Sequence, residues 1–400
     1  MHYSQQLKKY GDSKSAIREL AAYGSRRARE IGEENVFDFS LGAPSVPAPA
    51  RVTQTMLHLL QTVPPEKLHG YTAAEGDLSV REKIATYLST RYGIENRPDR
   101  VYVMAGASAG LAMVTRALRD SSDDEFVCLA PFWAEYTVFI DTAGAQPVVV
   151  PPDYSTFEPD REAFEAAVNE HTKAVFIDQP NNPSGVLYRE ETLTWLANTL
   201  RKKEKEFGHP IYLIADEPYR ELAFDGESPY MPHYYADTII VYSFSKALSL
   251  AGERIGYIYV PESVTDGDII YSVIKGAGRA LGYSCAPALM QYTIAENLDI
   301  TADISVYHRN RDLLYTMLTD LGFECVYPTG AFYMMVKSPS GDGKEFSHTA
   351  QAHDVLVTPS DTFGIPGYVR VSFCVSSDRI TRSQPAFAQL AQHYGLRPAQ

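Results

Sequence analysis

From about residue 100 the chain alternates short apolar runs with longer stretches of helical periodicity. The runs are VYVMAG (101–106), EFVCLA (125–130), QPVVV (146–150), AVFID (174–178), IYLIAD (211–216), TIIVYSFS (238–245) and RIGYIYV (254–260). Most are continuously apolar rather than alternating, as expected of strands covered on both faces. The stretches between them, such as SAGLAMVTRALRD and REAFEAAVNE, fit crossover helices. The pattern predicts an α/β domain with a mostly parallel sheet clothed in helices. In such sheets ligands sit beyond the carboxyl ends of the strands, so chemistry is sought there.

The flanks differ. Near the start, Ile17, Leu20 and Ala21 fall at helical spacing, and Arg18, Arg26, Arg27 and Arg29 form a solvated basic face. FDFSLGAP (37–44) is a short strand running into turn residues, and Pro44, Pro47 and Pro49 mark an extended connector. After about residue 290 the pattern mixes a helix (303–321) with strands (331–336 and 368–373). These segments predict a smaller α+β domain that also takes in the N-terminal segment. The expected division is 1–48 with the small domain, 49–290 as the large domain and 291–400 as the small C-terminal domain. A chain of 400 residues, 45% of them hydrophobic, is long enough to bury two such cores.

A formal net charge of -14 argues against nucleic acid and anionic lipid as partners. Cys128, Cys285, Cys325 and Cys374 form no CxxC pair, so no metal or redox site is expected and scattered thiols suit a reducing cytoplasm. The N-terminal stretch lacks the apolar core of a signal peptide, and no run of about 18 apolar residues predicts a membrane span.

Five polar features lie at or just after the ends of the runs. Lys246 follows SFS; a Schiff-base lysine must reach a carbonyl and lose its proton, and a strand end facing a dry crevice serves both needs. Arg254, in GERIGY, offers a guanidinium fork to a phosphate dianion, and Ser243 and Ser245 could add hydroxyl donors. GASAG (106–110) joins a strand to a helix, where small residues let backbone N–H groups approach an anion. Asp216, in ADEPY, closes an apolar strand and calls for a cationic partner such as a protonated pyridine nitrogen; Tyr219 follows three positions on. Asn182, in NNPSG, could donate to a ring oxygen. Each has an ordinary alternative: a surface lysine, a surface ion pair, a tight turn, a metal ligand or helix cap, a plain turn.

Together, in order and spacing, these motifs resemble the fold-type I enzymes of the class I/II aminotransferase family, the aspartate aminotransferase superfamily. The resemblance spans nearly the whole chain. It includes LGAP at Gly42, Y-T-x-x-x-G (71–76), GASAG, PFW at Trp133, NNPSG, ADEPY, SFSK, GERIG and VRVSF at Arg370. It implies pyridoxal 5′-phosphate as cofactor, held on Lys246 as an internal aldimine, with Lys246 also the proton-transfer base. It implies Asp216 as partner of the pyridine nitrogen, Asn182 and Tyr219 on the ring oxygen, and Trp133 stacked on the ring. Ala107, Ser108, Ser243, Ser245 and Arg254 would form the phosphate cup. Tyr71 would reach the phosphate of a neighbouring subunit, implying a homodimer. Arg370 would clamp the substrate α-carboxylate, beside Gly42 and Asn182.

The activity so implied is ping-pong transfer of an amino group between a small α-amino acid and a 2-oxo acid. A lyase, racemase or decarboxylase would keep the same cofactor cup, and the motifs do not separate them. A cofactor-sensing DNA-binding regulator is disfavoured, because the enzyme pattern fills the chain. The match departs at Ala43 and Val46, and at SCAP (284–287), which lacks the asparagine of aspartate-specific relatives. Arg279 lies one residue out of register with the arginine by which those relatives bind a side-chain carboxylate. It reads either as a contact to a distal carboxylate or as a structural or interface ion pair.

Overall fold

Every run assigned to a strand above forms one in the computed structural model, which describes residues 2–12 and 16–397. The contacts divide the chain into two compact units. The larger comprises Pro44–Ile304 and Thr329–Ala331; the smaller comprises Met1–Ala43, Ser305–Pro328 and Phe332–Gln400.

The larger unit is built on strands β1 (Val101–Met104), β2 (Glu125–Leu129), β3 (Gln146–Val150), β4 (Thr172–Asp178), β5 (Tyr212–Asp216), β6 (Thr238–Ser243) and β7 (Gly256–Tyr259). They form a 7-stranded sheet in the order β1-β7-β6-β5-β4-β2-β3. β7 runs antiparallel to both its neighbours; the remaining pairs are parallel. The helices α1 (Ala107–Leu118), α2 (Glu135–Ala143), α3 (Glu190–Phe207) and α4 (Gly267–Leu281) connect or follow these strands.

The strands β5, β6 and β7 inside the sheet, and β1 at one edge, are buried at every position, which explains their unbroken apolar sequences. Burying each Val, Ile or Leu side chain contributes about 1.5–3 kcal/mol relative to leaving it exposed. β3 departs from the expectation of two covered faces: Gln146 and Pro147 are exposed and only Val150 is buried. It is the last strand of the sheet, with β2 as its only neighbour, so the periodicity of an edge strand was masked by β-branched residues. On α3, Leu193, Leu196, Ala197 and Leu200 recur at helical spacing and are buried, while Glu190, Glu191, Arg201 and Lys202 are exposed.

In the smaller unit β8 (Tyr333–Lys337), β9 (Thr358–Pro359) and β10 (Tyr368–Ser372) form an antiparallel sheet with β10 at its centre. Phe37–Asp38 pairs in parallel with Val355–Leu356, which ties the N-terminal segment to the C-terminal part of the chain. Leu20, Val36 and Leu356 bury that junction. The basic helix Ala16–Ile31 is less solvated than its sequence suggests, because Arg27 Nε donates to Asp354 Oδ1 at 2.7 Å.

Candidate active site

The carboxyl ends of the parallel strands deliver the candidate residues to one rim of the sheet. β1 leads through Gly106 into α1, which begins at Ala107 and Ser108; β4 ends at Asp178, four residues before Asn182; β5 ends at Asp216, and β6 at Ser243. β7 is antiparallel, so its amino end meets the same rim: Gly256 is in register with Met104 and with Ser243. That places Arg254, two residues earlier, beside the start of α1. A single reversed strand thus brings an arginine to a rim otherwise reached only by carboxyl ends.

The Gly106–Arg254 side of this rim is closely fitted. Gly106 has φ 81, and a Cβ there would collide with the Arg254 guanidinium. Arg254 itself has φ 53, a left-handed conformation that strains a residue bearing a side chain. Its Nη1 donates to Ala251 O at 2.9 Å, and the side chain is exposed. Ser243 and Ser245 are buried with their hydroxyls 2.7 Å apart, and the Ser243 hydroxyl caps the Ser245 amide at the start of the short helix Phe244–Ala247. That helix carries Lys246, whose Nζ lies 5.8 Å from the centre of the buried Tyr219 ring.

Asp216 is 3% exposed. Its Oδ2 accepts a hydrogen bond from the Tyr136 hydroxyl at 2.8 Å, whereas its Oδ1 is buried with no hydrogen-bond partner. Burial, with Glu217 close by, pushes its carboxyl up to about 7, against the pull of the Tyr136 hydrogen bond and the Lys246 charge. Trp133 is half-buried and meets the rings of Tyr136 and Phe139 edge-on, each at 5.9 Å between centroids. Asn182 is buried and follows Asn181, whose side chain holds the turn through Ser184 N at 3.0 Å and Pro131 O at 3.1 Å.

These residues fit pyridoxal 5′-phosphate. A buried carboxylate oxygen lacking a partner suits the N–H of a protonated ring. A helix start lined by small residues, two hydroxyls and a guanidinium suit a phosphate dianion. Among the described residues no group of three or more His, Cys, Asp or Glu could hold a metal ion. No helix among them is long and apolar enough to cross a membrane.

In the smaller unit Arg370 lies at the centre of the sheet, in register with Met335 and Thr358, and is 2% exposed. Its Nη2 donates to Ser40 O at 2.8 Å, and its guanidinium stands 4.5 Å from the Tyr333 ring and 5.1 Å from the Phe363 ring. Ser372 N donates to Phe39 O at 2.8 Å, so the segment leading to Gly42 runs along β10. A Cβ at Gly42 would strike the Tyr333 hydroxyl. Arg370 and Gly42 are therefore brought together in this unit. Tyr71 and Arg279, both in the larger unit, are exposed, Arg279 in the last turn of α4.

Two residues of the larger unit's rim escaped the sequence reading. Tyr136, three positions after Trp133, donates the one hydrogen bond that the Asp216 carboxylate receives among the described residues; helical spacing from an assigned aromatic was the available signal. Asp178 closes β4 as Asp216 closes β5, and the two are register partners. The argument applied to Asp216 therefore applied equally to it.

A family model described as aminotransferase class I and II matches residues 34–383. A putative aminotransferase, YugH, of Bacillus subtilis (strain 168) is 30% identical over 381 residues, covering 91% of this chain and 94% of the relative. An aspartate aminotransferase of Thermotoga maritima is 30% identical, covering 88% of this chain and 90% of the relative. Among solved structures, an amino transferase from Eubacterium rectale superimposes with a TM-score of 0.97 at 46% identity, covering 99% of this chain and 100% of the other.

Proposed function

The chain belongs to the class I and II aminotransferases, pyridoxal-phosphate enzymes that move an amino group between an amino acid and a 2-oxo acid, and from that premise we propose the roles of its residues. The relatives carry transaminase names, which does not favour a lyase, racemase or decarboxylase. When bound, the cofactor supplies an electrophilic carbon and an electron-withdrawing ring.

Lys246 Nζ would hold the cofactor and would serve as the base that takes the proton from the substrate Cα. Asp216 Oδ1 accepts the ring N–H and keeps that nitrogen protonated. Asn182 and Tyr219 donate to the ring oxygen, and Trp133 covers one ring face. Ala107, Ser108, Ser243, Ser245 and Arg254 hold the phosphate. Arg370 takes the substrate α-carboxylate, with Gly42 near it in the smaller unit, and Asn182 is a further substrate-binding residue; the Tyr333 and Phe363 rings hold the Arg370 guanidinium in place. The observation that carries this reading is the buried Asp216 oxygen without a partner.

The reading extends to a homodimer in which Tyr71 serves the neighbouring subunit's phosphate. Tyr71 is 98% exposed in the single chain, and Ile269, Val273, Leu281 and Tyr283 expose apolar surface along and just beyond α4. None of the four cysteines is in a disulfide among the described residues, in keeping with a cytoplasmic enzyme. Relatives are named for aspartate, prephenate and LL-diaminopimelate; for this chain the reading is a small α-amino acid as donor, with Arg279 the candidate for reading a distal carboxylate.

The test is borohydride fixation. In the wild type the reduced cofactor should be recovered on the peptide containing Lys246. Lys246→Ala should lose that adduct and at least on the order of 10⁴-fold in turnover. An adduct that persists in Lys246→Ala refutes the assignment. A panel of alanine, aspartate, glutamate and aromatic amino acids, scored by conversion of the cofactor to its amine form, identifies the donor.

A further inference from the structure

The two aspartates that close β4 and β5 form a pair that the reaction as described uses only in part. Asp178 and Asp216 are register partners on adjacent parallel strands, 4% and 3% exposed. Among the described residues neither makes an ion pair, and each has one carboxylate oxygen buried with no hydrogen-bond partner. The other Asp178 oxygen, Oδ2, accepts from the Asn182 backbone N–H at 2.8 Å. It therefore anchors the turn from which the Asn182 side chain projects.

We propose that Asp178 is a positioning residue of the cofactor site, seating the Asn182 backbone and flanking Asp216 so that one acid stays neutral while the other meets the ring nitrogen. The inference rests on the reading of Asp216 as the partner of that nitrogen. Two carboxylates so close in a dry interior do not both ionise on a single compensating cation. The surroundings decide which one keeps the proton. Asp216 receives the Tyr136 O–H and feels the Lys246 charge, both of which favour its anion. Asp178 receives a single neutral backbone N–H and faces Asp216 on β5, Tyr136 on α2 and Tyr188 beyond β4, none of them cationic. Burial, then the proximity of Asp216, pushes the Asp178 carboxyl well above the usual range. Asp178 is thus the neutral member. Its work at the site is done by an oxygen acceptor, not by a charge.

Asp178→Asn keeps the acceptor and the neutrality; Asp178→Ala keeps only the neutrality. Purified apoenzymes would be titrated with pyridoxal phosphate to give Kd. Each holoenzyme would then be loaded with cofactor carrying ¹⁵N in the ring, and the nitrogen shift used to report protonation. Asp178→Asn should bind within about twofold of wild type with the ring nitrogen still protonated, and Asp178→Ala should bind about tenfold more weakly, the scale of one buried hydrogen bond. If Asp178→Ala destabilises the fold, Asp178→Ser, with its short acceptor, should recover part of the affinity. The inference is overturned if Asp178→Asn deprotonates the ring nitrogen, or if Asp178→Ala binds as tightly as wild type. Asp216→Asn separates the two layers. Loss of ring protonation there upholds the underlying reading, whatever Asp178 does; a nitrogen still protonated there removes that reading and this inference with it.

Discussion

Two acidic pairs meet at the end of β5, Glu221 partly buried and the other three acids buried, and they settle their charge in different ways. Glu217 and Glu221 flank Arg220. Its Nε donates to Glu217 Oε2 at 2.6 Å, its Nη1 donates to the Tyr257 hydroxyl at 3.0 Å, and its guanidinium lies 4.4 Å from the Tyr242 ring. The Tyr242 hydroxyl in turn donates to Glu221 at 3.0 Å. Burial raises both glutamates, and Arg220 pulls each back down. Asp178 and Asp216, the second pair, have no such cation bonded to them among the described residues. The first pair has its cation, Arg220, within the chain and supports the fold, although Glu217 Oε1 and Glu221 Oε2, like Oδ1 of each aspartate, are buried with no hydrogen-bond partner. The second has no cation bonded to it, a deficit that a protonated pyridine ring would make good. Adjacent positions, Asp216 and Glu217, therefore belong to different tasks, and charge compensation tells them apart better than burial does.

The sharpest way to break this contrast is to neutralise one acid from each pair. Asp216→Asn should lower kcat on the order of 10³-fold, since an oxygen aimed at the ring cannot be replaced by an amide donor. Glu221→Gln should leave kcat within a few-fold. Steady-state kinetics on cofactor-saturated enzymes decide it, and equal losses would abolish the distinction. The converse effect belongs to stability. Arg220→Met strands Glu217 without its partner and should cost about 3–5 kcal/mol in denaturant unfolding. A loss under 1 kcal/mol would mean that the first pair is no more compensated than the second.

The two pairs should also differ in pH dependence. Asp216 is held up to about 7, while an unfolded aspartate titrates near 3.9. Between those values the folded apoenzyme keeps a proton that the unfolded chain has released. Its stability therefore falls as pH rises from about 4 towards 7. Asp216→Asn removes that titration, so the apo variant should gain on wild-type apoenzyme between pH 5 and pH 8. The gain should be on the order of 1–3 kcal/mol in urea unfolding measured at each pH. A difference that does not change with pH would show that Asp216 is already ionised at pH 5.

Much of this was legible in the sequence because the constraints are local. Continuous Val and Ile runs such as TIIVY report burial on both faces. GASAG and NNPSG report turns, and an aspartate or lysine at the end of such a run reports a rim. What escaped notice depends on pairing across the sheet. That β7 is antiparallel, and so brings Arg254 to the rim, follows from register, which no single strand encodes. The same holds for Asp178, whose significance lies in standing beside Asp216. β3 misled for a related reason: QPVVV is as apolar as β1 at the opposite edge, yet β1 is covered at every position and β3 only at Val150, a difference set by what packs on each edge. Tyr136 went unremarked because a tyrosine in a helix after PFW has nothing to mark its hydroxyl as directed at an acid 80 residues away.

That hydroxyl gives the smallest of the expected effects and the finest test of the contrast. Tyr136 is fully buried, and its own ionisation is pushed well upward by that burial and by Asp216, so it stays protonated and donates to the Asp216 carboxylate. Tyr136→Phe keeps the ring that stacks 4.6 Å from Phe176 and removes the O–H alone. With one fewer donor, the Asp216 anion is less favoured and the carboxyl should rise further, weakening its hold on the ring N–H. The loss should be about that of one hydrogen bond to a charged acceptor, about tenfold in kcat/KM, with little change in melting temperature. The pH at which the bound cofactor's absorption changes should move with it. If Tyr136→Phe matched Asp216→Asn, the hydroxyl would be acting on the ring directly. If it left kinetics and spectrum untouched, the Asp216 anion would be secured by Lys246 and the bound ring alone, and the second pair would need nothing from the chain beyond its place in the sheet.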